Sequence, residues 1–456
     1  MNSASTLRPT AATGHWKMFS IRWLVPLVGI PLLCGIIYAG WMGYREALAK
    51  RELEVLLAPI LAAGEPLGDA WLEQRFRQTT SDEGTAAWSR ILLLSRSLGW
   101  GVQNELPIVG TGQYLQVLDP NAPWEDNQRV GDFLDEARPV IDLVHQAAQY
   151  PTPVWQPLNF DGVGTLLPEL QESRSVARLL QLDFDHAVMN RDPERALRAL
   201  QSLQTTAAAF DWEMFMVGEL VHMALLGQHR QAIRRSLYAD LWTAEQLVTL
   251  MSQLRQPQPV ARKWKASLQT EQAMALATLR SASSPLSELA LPASATAELQ
   301  LFRFYEAAMA VAGDDQEQLS RGSQGLEKSL PLGDRQSVDH ILVGFFAPAL
   351  QAYAEAFNRE ERKRRLTLTA LAIKRFQLAQ QRWPSGLEEL VEVGLTVDEW
   401  TLPGLGPLGY RVEDEGQTAY LWSWVDPRGT GDVASEVPRI ADVEFNRIAD
   451  DVAVIR

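Results

Sequence analysis

The stretch Asn190-Arg-Asp-Pro-Glu-Arg-Ala-Leu197 decides how the chain is read, because it is a turn set between two segments of helical periodicity. Asp192 has the short carboxylate that accepts from the free amides of a first turn, and Pro193 fits that first turn because its missing N–H costs no hydrogen bond there. Before the turn, Leu170, Val176, Ala177, Leu180 and Phe184 recur on one helix face; after it, Ala196, Leu197, Leu200 and Leu203 do the same. The pair has the form of a tetratricopeptide-type helix-turn-helix. No 34-residue recurrence follows, so the expectation is stacked helical hairpins, repeat-like in character without a regular array.

Working outward, the same periodicity predicts helices at 71–76, 86–98, 130–150, 261–279, 297–312 and 338–383, with a further start at the capping box Thr243/Gln246. Pro-rich residues 150–160 read as an extended connector sealing the edge of the core. The run Arg359-Glu-Glu-Arg-Lys-Arg-Arg365 reads as a solvated helix face, with acidic lipid headgroups as the alternative partner.

Toward the N-terminus, residues 23–44 carry no charge. As a helix they reach roughly 33 Å, enough for a hydrocarbon core of about 30 Å. Trp23 lies at one end and Trp41 and Tyr44 at the other, as in aromatic belts. The preceding tail, 1–22, holds Arg8, Lys17 and Arg22 and no acid, which favours keeping it in the cytoplasm. These residues predict a signal anchor retained as a single-pass transmembrane helix in the inner membrane, with the large remainder exported to the periplasmic side. From Arg45 the spacing of Leu48, Leu53, Leu56, Leu57, Ile60 and Leu61 continues the helix outward as an amphipathic stalk.

Charge narrows the partners. Three of the 42 Lys and Arg precede the span, leaving 39 against 56 acidic residues, so nucleic acid is excluded as an expected partner. The single cysteine, Cys34, lies within the span, which rules out intramolecular disulfides and a thiol nucleophile in the body.

At the C-terminal end the pattern changes to Trp383-Pro384, a short Leu-rich helix at Leu387–Val391 with Ser385 and Glu388 as its capping box, Pro407-Leu-Gly-Tyr410, and two β-rich stretches at 408–412 and 418–424 around Glu-Asp-Glu-Gly. A Gly429-Thr-Gly-Asp432 loop follows. This order resembles the C-terminal part of the major pseudopilins of type II secretion. It lacks their Gly-aromatic processing site with an early Glu, so it is closer to large bacterial envelope proteins that place such a unit after a helical body. The resemblance implies a small α+β unit with a β-hairpin, and calcium in the final loop. Asp426 and Asp432, two carboxylates flanking glycines, are the candidate metal ligands, with Arg428 opposing them and a plain turn as the alternative.

The expected organisation is thus mainly α: a cytoplasmic tail at 1–22, a transmembrane helix at 23–44, a helical body at 45–365, and a pseudopilin-like unit at 366–456. No catalytic or cofactor-binding residue is assigned. Asp142/His145, Asp183/His186 and Glu219/His222 each set an acid three residues before a histidine, the spacing used in di-iron bundles and equally that of ordinary helix-surface contacts. His222 and His229 share a Leu-rich face and read as packed core histidines. The functional expectation is a membrane-anchored envelope protein with a non-enzymatic binding or scaffolding role toward a protein partner, linked to secretion or pilus-like machinery. The alternative is an envelope enzyme using the carboxylates and histidines of the body.

Overall fold

The computed structural model describes residues 21–78, 81–98, 105–154, 158–255, 259–281, 295–311, 319, 322, 338–402, 405–413, 417–423 and 452–456. Among these the fold is mainly helical, with a small antiparallel sheet region at the C-terminal end. Eleven long helices precede it: α1 (Ile21–Ala63), α2 (Asp69–Gln78), α3 (Asp82–Arg96), α4 (Asn127–Ala147), α5 (Pro168–Met189), α6 (Pro193–Ala209), α7 (Met216–Ser236), α8 (Ala244–Leu254), α9 (Val260–Arg280), α10 (Ala295–Val311) and α11 (Val338–Gln380).

Local chemistry starts these helices where the sequence signals them. Asp192 accepts from the Arg195 amide at 3.0 Å at the head of α6, and Thr243 and Gln246 form a reciprocal capping box at the head of α8. The α5–α6 hairpin then buries Val176, Leu180, Phe184, Ala196, Leu200 and Leu203 between its arms and their neighbours.

Burial divides into two clusters. The larger takes in α2 to α8, the C-terminal half of α11 and the sheet; the smaller joins α1, α9, α10 and the middle of α11 around Trp264, Phe302, Tyr305 and Tyr353. Along α11 the stretch from Leu366 through Ile373 is buried on every face, so here the helix is an inner element rather than an amphipathic cover. The expected boundary at 365/366 falls inside this helix, and Leu387, Trp400, Leu421 and Ile455 pack into the same core as the body.

After α11 the chain forms a 3-10 helix (Leu387–Val393) and α12 (Val397–Trp400), then β1 (Thr401–Leu402) paired with β2 (Gly406–Pro407). The expected hairpin is β3 (Gly409–Glu413) against β4 (Thr418–Trp422), in register Tyr410 to Leu421 and Val412 to Ala419. A third strand, β5 (Val452–Ile455), adds to β4. Sequence reading did not anticipate it. Ser385 also departs from expectation: its hydroxyl bonds Glu389 at 2.6 Å, not Glu388, because the helix that follows is 3-10 and Gly386 occupies the capping position.

At the other end, α1 is exposed on all sides from Ile30 to Tyr44, where Leu32, Leu33, Ile36 and Ile37 are each more than half accessible. Among the described residues no helix is long and apolar enough to cross a membrane; the part of the expected span from Trp23 to Gly29 precedes the first described side chain. One turn beyond Tyr44 the helix docks. The Glu46 carboxylate accepts from the Ala295 amide and from the amide and hydroxyl of Thr296 (3.3 and 2.9 Å), capping α10, and Ala49 and Leu53 are buried against the body.

The run Arg359 to Arg365 is not a solvated face. Arg364 is buried, donating to the Leu254 carbonyl at 2.7 Å and bridging bidentately to Glu361; Arg365 shares Glu361 and reaches the carbonyls of Asp398 and Thr401. Glu360 takes Arg230 of α7 at 2.5 Å. These charges bolt α11 to α7, α8 and the C-terminal unit, because backbone carbonyls at the ends of α8 and α12 supply the acceptors that a guanidinium needs away from water. Arg364→Ala is expected to cost about 3–5 kcal/mol, the scale for breaking a buried hydrogen-bonded pair, measured by urea unfolding of the full chain. A change within about 0.5 kcal/mol, the scale of a solvated position, would contradict this placement.

Candidate functional site

A group of buried ionisable side chains lies where α7 and α9 meet the loop between α6 and α7. Aromatic packing fixes that loop: Phe210 stands edge-on to Trp88 at 5.3 Å, Trp212 to Phe76 at 5.3 Å, and Phe215 stacks on Phe160 at 5.9 Å. Trp212 also donates its indole N–H to the Val154 carbonyl at 2.8 Å, tying down the Pro-rich connector. Asp211 is thereby held facing α7 and α9.

Lys263 of α9 extends into this corner and is 1% exposed. Its ammonium donates to Asp211 and to Glu219 Oε2, the latter at 3.1 Å. His222, one turn along α7 from Glu219, donates Nδ1–H to the Ala207 carbonyl at 3.0 Å, which leaves Nε2 as a bare acceptor 3.6 Å from Asp211 Oδ2 and without a hydrogen-bond partner. Burial pushes the Glu219 carboxyl up to about 7, Lys263 only partly offsetting it. Burial, aided by Lys263, brings the His222 imidazole down to about 4. His229, buried two turns along α7, comes down to about 3, by burial first and then by Arg230.

A small cleft opens beside the cluster, lined by Glu219 and His222, by Met223, Leu226, Val260 and Phe357, and by Arg230, Glu360 and Glu361. The arrangement suits proton holding better than metal or nucleophile chemistry. The Lys263 ammonium stands between the two carboxylates, where a cation would sit, and an ammonium engaged by two acids is no free amine. Among the described residues no group of three His, Cys, Asp or Glu side chains could hold a metal ion.

The three acid–histidine pairs serve different contacts. His145 faces the Ser202 hydroxyl. Asp183 Oδ1 takes Arg195 at 2.8 and 2.6 Å, and the same guanidinium donates to His186 Nδ1 at 3.2 Å, so a cation separates this acid from its histidine. Glu219 and His222 join the buried corner through Lys263 and Asp211, neither of which stood out in the sequence. A lysine within the Ala261-Arg-Lys-Trp-Lys265 segment looks like any helix-surface charge; the usable signal was its place next to Trp264 on the buried face. Sequence reading also missed Asp185, buried and held bidentately by Arg235 at 3.0 and 2.6 Å, with Tyr114 4.2 Å from the guanidinium. Asp426 and Asp432 lie outside the described residues.

Comparison of the chain with protein-family models, curated proteins and solved structures finds no match.

The two neutral histidines dictate an acid response. Their folded pKa values lie below the ordinary 6.5, so the stability that depends on their neutrality is present above about pH 6.5 and is lost as pH falls toward about 4. The melting temperature of the full chain is expected to drop across that window, and His222→Gln is expected to shallow the drop. An unchanged acid slope in the variant would show that His222 is not one of the groups being charged.

Proposed function

We propose that this protein is a single-pass, membrane-anchored envelope protein whose body stands outside the cytoplasm and acts by binding or scaffolding a protein partner. The observation that supports this reading best is the change of character within α1. From Ile30 to Tyr44 it is apolar around its whole circumference and exposed among the described residues, and two residues later it is docked on α10 through Glu46. Apolar side chains exposed on every face of a helix need a non-aqueous surround, and a bilayer provides one without a partner chain. Arg45 lies 4.8 Å from the Trp41 ring, an aromatic–cation pairing suited to the headgroup level. The acid-free tail 1–22 supports the outward orientation of the body.

Binding is favoured over catalysis because the buried charges are engaged with one another: Lys263 with Asp211 and Glu219, Arg195 with Asp183, Arg235 with Asp185, Arg230 with Glu360. The C-terminal resemblance to pseudopilins supports a partner within secretion or pilus-like machinery. A second reading, an envelope enzyme, draws on Glu219, since a carboxyl raised to about 7 is the kind that serves as a general acid.

Full-length chain is expected to stay with membranes through an alkaline wash and to leave them in detergent, while replacing Leu32, Leu33, Ile36 and Ile37 with Asn should move it to the soluble fraction. A reporter fused after Arg456 is expected to be active only outside the cytoplasm. Release of the unaltered chain by the wash, or a reporter active only in the cytoplasm, would overturn the reading.

A further inference from the structure

Two carboxyl groups face one ammonium inside the body. With Asp211 and Glu219 both ionised, Lys263 neutralises only one of them, and His222 adds no charge near neutrality because burial, aided by Lys263, brings its imidazole down to about 4. The side chains of Glu219 and Lys263 are each 1% exposed and that of Asp211 is 23% exposed, so the unbalanced negative charge is heavily penalised where it falls on Glu219, the acid away from water. One proton shared by the two acids balances the group. We propose that Asp211, Glu219 and Lys263 form a proton-binding site that latches α7 to α9 when it holds one proton and loosens that junction when the proton passes to solvent.

The surrounding charges leave Lys263 as the cation these acids share. On α7, Arg230 is taken by Glu360 of α11. On the loop, Glu213 pairs with Arg262 of α9 at 2.7 Å, with Arg75 of α2 more distant. Glu271 of α9 accepts from the Met216 amide at 3.2 Å, and the Tyr353 hydroxyl of α11 is hydrogen-bonded to Ser267 at 2.9 Å. Glu361 is engaged by Arg364 and Arg365. The two acids therefore titrate as a pair. Burial sets the Glu219 carboxyl near neutrality, which puts proton exchange within the ordinary range of an aqueous compartment.

The position gives the latch reach. Lys263 is followed by Trp264, which stacks on Tyr353 at 5.2 Å and donates to the Ala308 carbonyl of α10 at 2.9 Å. Helix α10 is the one capped by Glu46 of α1. The proton site thus lies on the seam between the two hydrophobic clusters, one helix away from the apolar segment.

The test is made on the full chain in detergent by infrared difference spectroscopy between about pH 6 and about pH 8, the window around the Glu219 pKa. The expected result is loss of one carboxylic-acid C=O band as pH rises, absent in Glu219→Gln. Thermal melting gives the second measurement. Folded Glu219 keeps its proton to about 7 whereas the ordinary carboxyl loses it near 4.5, so the contribution of this one group to stability is lost as pH rises from about 4.5 to about 7 and does not change above it. The melting temperature of Glu219→Gln minus that of the wild type should therefore rise from about pH 4.5 to about 7 and then level off, the histidine contributions cancelling in the difference. No acid band in the wild type, the same band in the variant, or a pH-independent difference would each overturn the proposal. If Glu219→Gln does not fold, Asp211→Asn takes its place: Lys263 then balances Glu219 alone and the band should vanish at lower pH, while a band unmoved from neutrality would overturn the shared-proton site.

Discussion

The structure depends on the complete burial of α11 between Leu366 and Lys374. A helix buried on one stripe can be lost from a fold and leave a groove; one buried all round is shared by every layer that touches it. Leu368, Leu371 and Ile373 are fully buried in this stretch, and the helix packs on α7 and α8 as well as on β1, β4 and β5. Farther toward its N-terminus, Tyr353 and Phe357 of the same helix belong to the second cluster with Trp264 and Phe302. A single unbroken element thereby indexes two cores to each other, and the described buried residues of the C-terminal unit belong to the same core as the body.

Polar groups buried at such an axis have to be matched, since an orphaned charge in the interior costs more than any apolar contact there gains. Arg230, Arg234 and Arg235 of α7 reach Glu360, Thr367 and Asp185, and Lys374 of α11 reaches Asp240, Gln377 and the carbonyl of Arg456. Each bond has one geometry, so sliding α11 by a turn against α7 would strand several at once. Replacing buried ion pairs by apolar residues of similar volume often leaves stability intact. Their physical contribution is to register, a constraint that Leu and Ala packing alone states weakly.

Most helices were legible because their punctuation is local. The caps at Asp192 and Thr243 and the apolar faces of α5 and α6 depend on residues within a turn or two of each other, and there expectation and structure agree. What was illegible depends on contacts across the chain. The run Arg359 to Arg365 has the composition of a wet surface, and only the arrival of the α8 and α12 carbonyls makes it an interior bolt. Strand β5 is four residues long, separated from its partner by a long intervening segment, and its alternation of Val, Ala, Val and Ile carries too little pattern to declare a strand. The acid-histidine spacing correctly placed Glu219 and His222 on one face, yet could not reveal Lys263, which is 44 residues from Glu219.

How the apolar segment joins the body bears on what such a protein can do. An anchor attached through a flexible linker lets a domain search the space around it; here α1 runs without interruption from its apolar half into the half that packs on α10. Glu46 gives that junction an electrostatic as well as a steric lock, since its carboxylate satisfies amides at the positive end of α10 that would otherwise lack partners. Backbone hydrogen bonds run through Tyr44, Arg45 and Glu46, so bending there means breaking helix. On the membrane-anchored reading, the body would be presented at a fixed height and angle above the lipid, with the start of α10 at the headgroup level. A rigid platform of that kind fits a scaffold that positions a partner, because preorganisation lowers the entropy lost when a second membrane-bound component docks.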